Sequence, residues 1–205
     1  MIVNLEPSAQ LPYALYQEGP STDDCDLIAI SSPLSVLKKT HQILTKQSKK
    51  LDSKLLKKLE KIGFVLDYGE DNTGWQFKYL TRGGGYYFNV GASNLVADQK
   101  IKLIQFSDIK EFLSDGIIHN SKKLEYDSFI FATGYKGQEY MVKKFFGNEV
   151  ANKVGRIWNF NSKKQELNNM FVKTNQLGLW FIAGSLAQCR ICLLYTSDAA
   201  DEHSW

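Results

Sequence analysis

The sequence predicts an α/β chain, and three observations carry that reading. Two apolar, β-type runs end at glycine: Phe129-Ile130-Phe131 before Ala-Thr-Gly134, and Leu179-Trp180-Phe181-Ile182 before Ala-Gly184. Leu51, Leu55, Leu56, Leu59 and Ile62 recur at helical spacing. Buried-strand texture and long helical patterns alternate along the chain, as they do when helices cover a sheet.

The elements follow in order. "MIVNL" is β-like. Pro7, Pro12 and Pro20 then predict an extended connection over residues 1–20. From Ser21 the pattern turns helical, with Asp23, Asp24 and Asp26 where carboxylates oppose the positive end of a helix dipole. The helix resumes near Leu34 after Pro33 and runs to about Gln47. Asp52 is placed to cap a further helix through Lys61. Residues 63–93 are dominated by glycine and aromatics. Gly83 to Gly85 permit φ > 0 and predict a turn or bulge between strands. No Lys-Ser or Lys-Thr pair follows, so they are not a phosphate loop of the P-loop kind.

From Lys100 to Phe131 the texture is β: a strand at Lys102–Phe106, a turn at Asp115-Gly116, "IIHN", and a strand at Asp127–Phe131. A helix from Lys136 to Lys153 offers Tyr140, Val142, Phe145, Phe146 and Val150 for burial. Asn161 to Lys164 is a loop. Leu179–Ala183 is a strand that leads through Gly184-Ser185 into a helix start. There are no internal repeats.

At 205 residues the chain makes one or at most two domains. With 43% hydrophobic and 23% charged residues it is globular rather than disordered. No apolar run approaches the ~20 residues that span a bilayer. No leader pattern is visible at the N-terminus. Cys25, Cys189 and Cys192 are an odd, low count, which fits a reducing, cytoplasmic setting without a disulfide framework. The net charge of +3 is too mild to argue for nucleic acid or anionic lipid.

Charge is local, however. Lys38 to Lys61 holds nine lysines against Asp52 and Glu60. These lysines fall between the apolar positions and read as a solvated helix face. The arginines and interleaved aromatics of a nucleic-acid reader are missing there. A basic binding module is the competing reading, and salt-sensitive binding to heparin or DNA would mark it.

The two strand-to-glycine turns carry the chemistry. In α/β sheets ligands sit at the carboxyl ends of strands, where glycine admits a close neighbour and a helix start offers free N–H groups to anions. Cys189 and Cys192 have the spacing of a redox pair, but Cys192 belongs to an anomalous tail. No second cysteine pair offers a zinc site. No Ser-His-Asp set is evident. His41 and His119 read as surface residues, and Arg82 as a solvated turn arginine.

The motifs "DSFIFATGY" (127–135) and "GLWFIAGSLAQCRI" (178–191), supported by "LPYALY" (11–16) and the stretch 63–93, carry a family likeness. The chain resembles the C-terminal part of flavin-containing monooxygenases, the two-dinucleotide-domain class that also includes Baeyer–Villiger enzymes. The resemblance implies a partial Rossmann-like flavoprotein fold, truncated at its N-terminus. Residues 1–131 would be the end of an NAD(P)H-binding domain with a helical insertion, and 132–191 the return to an FAD-binding domain.

It implies FAD and NADPH as cofactors. The reduced flavin and O₂ would form a C4a-(hydro)peroxyflavin that oxygenates a small organic substrate. Ala132, Thr133 and Gly134 would form the crossing between nucleotide domains. Gly184 and Ser185 would lie near the flavin, with Leu186 and Ala187 following at the helix start. Tyr86, Tyr87 and Asn89 would be a face toward flavin or substrate.

The family's Gly-rich fingerprints are expected upstream of Met1, so the isolated chain is expected to be inactive. "CLLYTSDAADEHSW" (192–205) resembles a translated sequencing adapter and is expected to pack poorly. A flavoenzyme of the disulfide-reductase type is the alternative within the same chemistry. The lack of a paired redox cysteine speaks against it.

Overall fold

Strand β1 (Ile2–Asn4) pairs in parallel with β2 (Tyr87–Asn89), Ile2 opposite Tyr87 and Asn4 opposite Asn89. "MIVNL" is thus a strand as its sequence predicts, and its partner comes from just beyond the triple glycine. The structure is a computed structural model and describes residues 1–161, 163–182, 184–191 and 193. It is mixed α/β with two small sheets. The chain divides into two compact units, the first built from Met1–Asp52, Asp67–Asn89 and Lys136–Trp205, the second from Ser53–Leu66 and Val90–Tyr135.

In the first unit the N-terminal stretch is not extended as expected. A 3₁₀ turn (Ser8–Tyr13) runs into α1 (Ala14–Glu18). Proline's fixed φ suits a helical turn as well as an extended chain, so proline content could not separate the two. Helix α2 (Thr22–Ser31) starts where the sequence places it. The Ser21 hydroxyl accepts from the Asp24 N–H at 3.3 Å, capping the helix, and donates to the Asp24 carboxylate at 2.8 Å. Helix α3 (Leu34–Leu51) follows Pro33.

Asp52 does not spend its side chain on capping. Its buried carboxylate accepts from the Asn4 N–H at 3.0 Å, the Asn4 amide at 2.8 Å and the Ser8 hydroxyl at 2.5 Å. Asn89 extends this network, donating to Asn4 at 2.7 Å. A buried carboxylate needs donors on several lone pairs, and β1 supplies them.

The aromatic stretch holds a helix where only turns and strands were expected. Helix α5 in this unit (Gly74–Arg82) buries Trp75 and Phe77. Aromatic residues are middling helix formers, and burial of one face outweighs that propensity. The triple glycine ends this helix rather than joining two strands. Gly83 takes the left-handed cap conformation (φ 69°), its N–H donating to the Tyr79 carbonyl at 2.8 Å.

Among the described residues, buried apolar side chains of the first unit include two clusters. Val3, Ala9 and Trp75 form one, with Trp75 packed at 5.3 Å from Tyr86 and 5.0 Å from Phe88 between ring centroids. Val142, Val154, Ile157 and Met170 form the other, flanked by Leu179 and Phe181. A C-terminal helix of this unit (Gln138–Val154) is broken at Gly147 (φ 82°). That break resets the buried face. Val142 and Val154 go in and Val150 is half-buried, while Tyr140, Phe145 and Phe146, expected inside, stay exposed.

The second unit contains α4 (Ser53–Lys61), α6 (Ala92–Ala97) and an antiparallel meander of β3 (Ile109–Leu113), β4 (Gly116–His119) and β5 (Lys122–Glu125). The helix at Gln138–Val154 is therefore α7. Ser114-Asp115 makes the β3–β4 turn, one residue ahead of the Asp115-Gly116 pair the sequence predicts, with Leu113 opposite Gly116. Helix α4 buries Leu55, Leu56 and Leu59, while Lys58 pairs with Asp98 at 3.1 Å on the wet side. Leu51, counted with that apolar face in the sequence, ends α3 and is half exposed.

Three expected strands are not strands. Lys102–Phe106, Asp127–Phe131 and the described residues of Leu179–Ala183 belong to neither sheet. A strand exists through its ladder of pairings, and an apolar β-type sequence supplies only one side of that ladder. The tail beyond residue 191, apart from the exposed Leu193, lies outside the described residues, as do Ala183 and Cys192.

Candidate nucleotide-facing turns

The first turn sits in the second unit. An aromatic cluster anchors the run that leads into it. Phe112 on β3 lies 5.5 Å from Phe129 and 5.4 Å from Phe131, and Tyr126 lies 5.8 Å from Phe129, between ring centroids. Beyond this anchor Ala132, Thr133 and Gly134 are exposed. Gly134 has φ 87°, and a Cβ added there would meet nothing within 4 Å.

The second turn sits in the first unit. Leu179 and Phe181 pack on the Val142–Met170 cluster, while Trp180 and Ile182 are exposed. This in–out alternation is that of a half-buried extended segment. The Phe171 N–H donates to the Phe181 carbonyl at 3.0 Å, and the Thr174 hydroxyl to that of Leu179 at 2.7 Å. The chain then reaches Gly184, whose φ of 135° strains any L side chain.

Ser185 opens a helical turn over residues 186–191. Its carbonyl accepts from the Cys189 N–H at 3.1 Å. Its hydroxyl accepts from the Gln188 N–H at 3.3 Å, and its own N–H donates to the Gln188 side-chain oxygen at 3.0 Å. Ser185 and Gln188 therefore form a capping box. Ala187 is buried and Leu186 exposed.

Arg190, on the same turn, was not singled out by sequence reasoning. Its Nε and Nη2 donate to both oxygens of Asp26, at 2.5 and 2.6 Å. The Tyr16 hydroxyl donates to Asp26 at 2.9 Å. The Asp26 side chain is 2% exposed. The Arg190 hydrogen bonds, helped by that of Tyr16, hold the Asp26 carboxyl below the usual carboxylate range. Burial and the bond to Asp26 push the Tyr16 phenol up to about 12. The only sequence signal was an acid set among others at a helix start, and its partner lies 164 positions away.

The weaker candidates divide. Tyr86 packs its half-buried ring against both Trp75 and Phe88, and burial raises its phenol pKa. Asn89 is buried in the Asn4–Asp52 network. Tyr87 alone of the three is exposed, at 40%. His41, expected on the surface, is buried edge-on to Phe77. Part of the lysine surplus is engaged inside the units: Lys38 pairs with Asp71, and Lys49 lies 3.8 Å over the Tyr68 ring. Among the described residues no cluster of His, Cys, Asp and Glu could hold a metal ion. None of their helices is long and apolar enough to cross a membrane.

The turns can be tested for room beside a flavin or its pyrophosphate. Gly134 leaves its Cβ space open. At Gly184 the atoms nearest that space are those of the Gln188 amide, the flexible end of a side chain. Both turns thus admit a close neighbour, the second once Gln188 swings aside. No protein-family model matches the sequence, and a search of curated proteins finds no match.

Proposed function

We propose that this chain is part of an FAD- and NAD(P)H-dependent monooxygenase acting on a small organic substrate with O₂. One observation supports this most. Two apolar runs, 127–131 and 179–182, each deliver a positive-φ glycine, Gly134 with open space beside it and Gly184 with that space taken by the movable Gln188 amide. Their outer faces stay bare, with Ile130 at 93% and Ile182 at 79% exposure. Apolar β-type segments in such a state are suited to completing the Rossmann-like sheets of a larger flavoprotein.

FAD, when bound, supplies the redox chemistry, and the residues here orient it and keep water away. Gly184 gives close approach. Ser185 offers an N–H once the Gln188 amide leaves it. Leu186, exposed beside the turn, gives an apolar surface to an approaching ring. Gly134 and Thr133 form the second point of approach. A Gly-rich pyrophosphate loop is also required, and the 205 residues carry none, so the reading needs upstream coding sequence to supply it.

The test is purification of the parent polypeptide with that upstream sequence, beside the 205-residue chain. A yellow parent that consumes NADPH with O₂, and a chain that loses FAD on gel filtration, are expected. A parent without flavin overturns the reading. A stoichiometric yellow 205-residue chain would show that the site needs no upstream loop and is misplaced here.

A further inference from the structure

We infer that Asp26, Tyr16 and Arg190 are a positioning set for the Gly184–Ser185 turn, a clamp between α2 and the helical turn at 186–191. The inference rests on the flavin reading only for what the turn is positioned toward. Arg190 follows Ala187 by one helical turn, so the two share a face. Ala187 is buried on that face and Arg190 reaches the interior from it. Leu186, one position before Ala187, is 76% exposed. The clamp therefore sets the rotation of the turn about its own axis. That rotation decides where Leu186 and the Ser185 N–H face.

The chemistry makes the geometry specific. A guanidinium meets a carboxylate through two parallel N–H···O bonds, which fix orientation as well as distance. Lysine offers a point charge and cannot reproduce the fork. Tyr16 supplies a further donor to the Asp26 oxygen that Arg190 Nη2 also contacts, at 2.9 Å. A carboxylate so buried, stripped of its guanidinium, keeps the Tyr16 hydrogen bond but loses its compensating charge, so α2 does not release the turn at little cost.

The experiment is hydrogen–deuterium exchange on the 205-residue chain and its variants Arg190→Lys, Asp26→Asn and Tyr16→Phe. In the first two, amides in residues 186–191 are expected to exchange about tenfold faster or more, with α3 unchanged. Tyr16→Phe removes one donor and keeps the fork, so it is expected to show a smaller rise in the same residues. It also serves if the other variants unfold globally, which faster exchange in α3 would reveal. Unchanged exchange at 186–191 in a folded Asp26→Asn variant overturns the clamp. So does full protection in Arg190→Lys.

In the flavin-loaded parent, Asp26→Asn is expected to shift the flavin's visible absorbance bands and lower FAD retention about tenfold, alongside the faster exchange. A clamp seen by exchange with wild-type spectrum and retention in that variant overturns the positioning role. A wild-type parent that holds no flavin overturns the reading of the site and leaves the exchange result standing.

Discussion

His41 lies edge-on to Phe77, with ring centroids 5.4 Å apart, in the interior of the first unit. Burial pushes its imidazole down to about 4 from an ordinary 6.5. The folded chain therefore keeps His41 neutral where the unfolded chain takes up a proton. Stability from this group is fully present above pH 6.5 and is lost as the pH falls to about 4, with an upper bound of about 3 kcal/mol. Urea midpoints measured at about pH 7.5 and about pH 5 should fall with acidity in the wild type. They should fall less in His41→Leu. Equal slopes would show that His41 titrates normally.

Asp52 ties β1 and the Ser8 turn together through Asn4 and Ser8. Replacement by alanine leaves these donors without their acceptor and is expected to cost about 3 kcal/mol. Asp52→Asn should be milder, because one oxygen remains while its NH₂ group faces donors. Chemical denaturation followed by tryptophan fluorescence reads this through Trp75, in the same unit. A loss under about 1 kcal/mol for the alanine variant would show that water replaces the carboxylate.

Gly184→Val should abolish FAD retention in the parent polypeptide. The valine meets two penalties: a φ of 135° that β-branched residues avoid, and a Cβ against the Gln188 amide. Gly134→Ala, with open space but φ 87°, should weaken retention less. Flavin absorbance after gel filtration measures both. Full retention in Gly184→Val would move the flavin away from this turn.

Ile130 and Phe131 are exposed at 93% and 63% in a run of high β-propensity. Such a run is a template for association between chains. Ile130→Lys with Phe131→Lys should lower self-association of the 205-residue chain, read by light scattering across concentration. The same pair should destabilise the parent, where the reading above buries this run. No change in scattering would show that association, if present, uses another surface.

What sequence reveals here is what is local. Ser21, Asp24 and Pro33 mark α2 and α3 because capping and proline sterics act within a few residues. Asp115-Gly116 marks its hairpin for the same reason. Leu55, Leu56 and Leu59 mark the face of α4 through their spacing. Helix α5 was hidden because Trp75 and Phe77 are helical by virtue of what they pack against. Phe129 to Phe131 and Leu179 to Ile182 read as strands because composition reports readiness to pair, and pairing depends on a neighbour.

The candidate turns show the same division. Gly134 and Gly184 were singled out because each follows an apolar run, and both prove to have positive φ. Ser185 was legible as the residue that leads into a helix start, and there it caps the turn with Gln188. Arg190 and Asp26 were not legible as a pair. Nothing near either residue encodes a partner in a distant part of the chain, and a single sequence offers no second sign of it.

The β1–β2 pairing also has a consequence for the order of assembly during synthesis. Ile2 and Val3 leave the ribosome long before Tyr87 and Phe88, the residues they pair with. In that interval β1 is an apolar strand with both edges available to other nascent chains. The Asp52 carboxylate arrives first of its later partners, bonding the Asn4 N–H and amide. It gives β1 a polar tether to the end of α3 before any sheet exists. Slowing translation between α3 and β2 should therefore be tolerated by the wild-type chain. In an Asp52→Ala chain the same pause should raise the insoluble fraction, because β1 would wait with nothing to hold it.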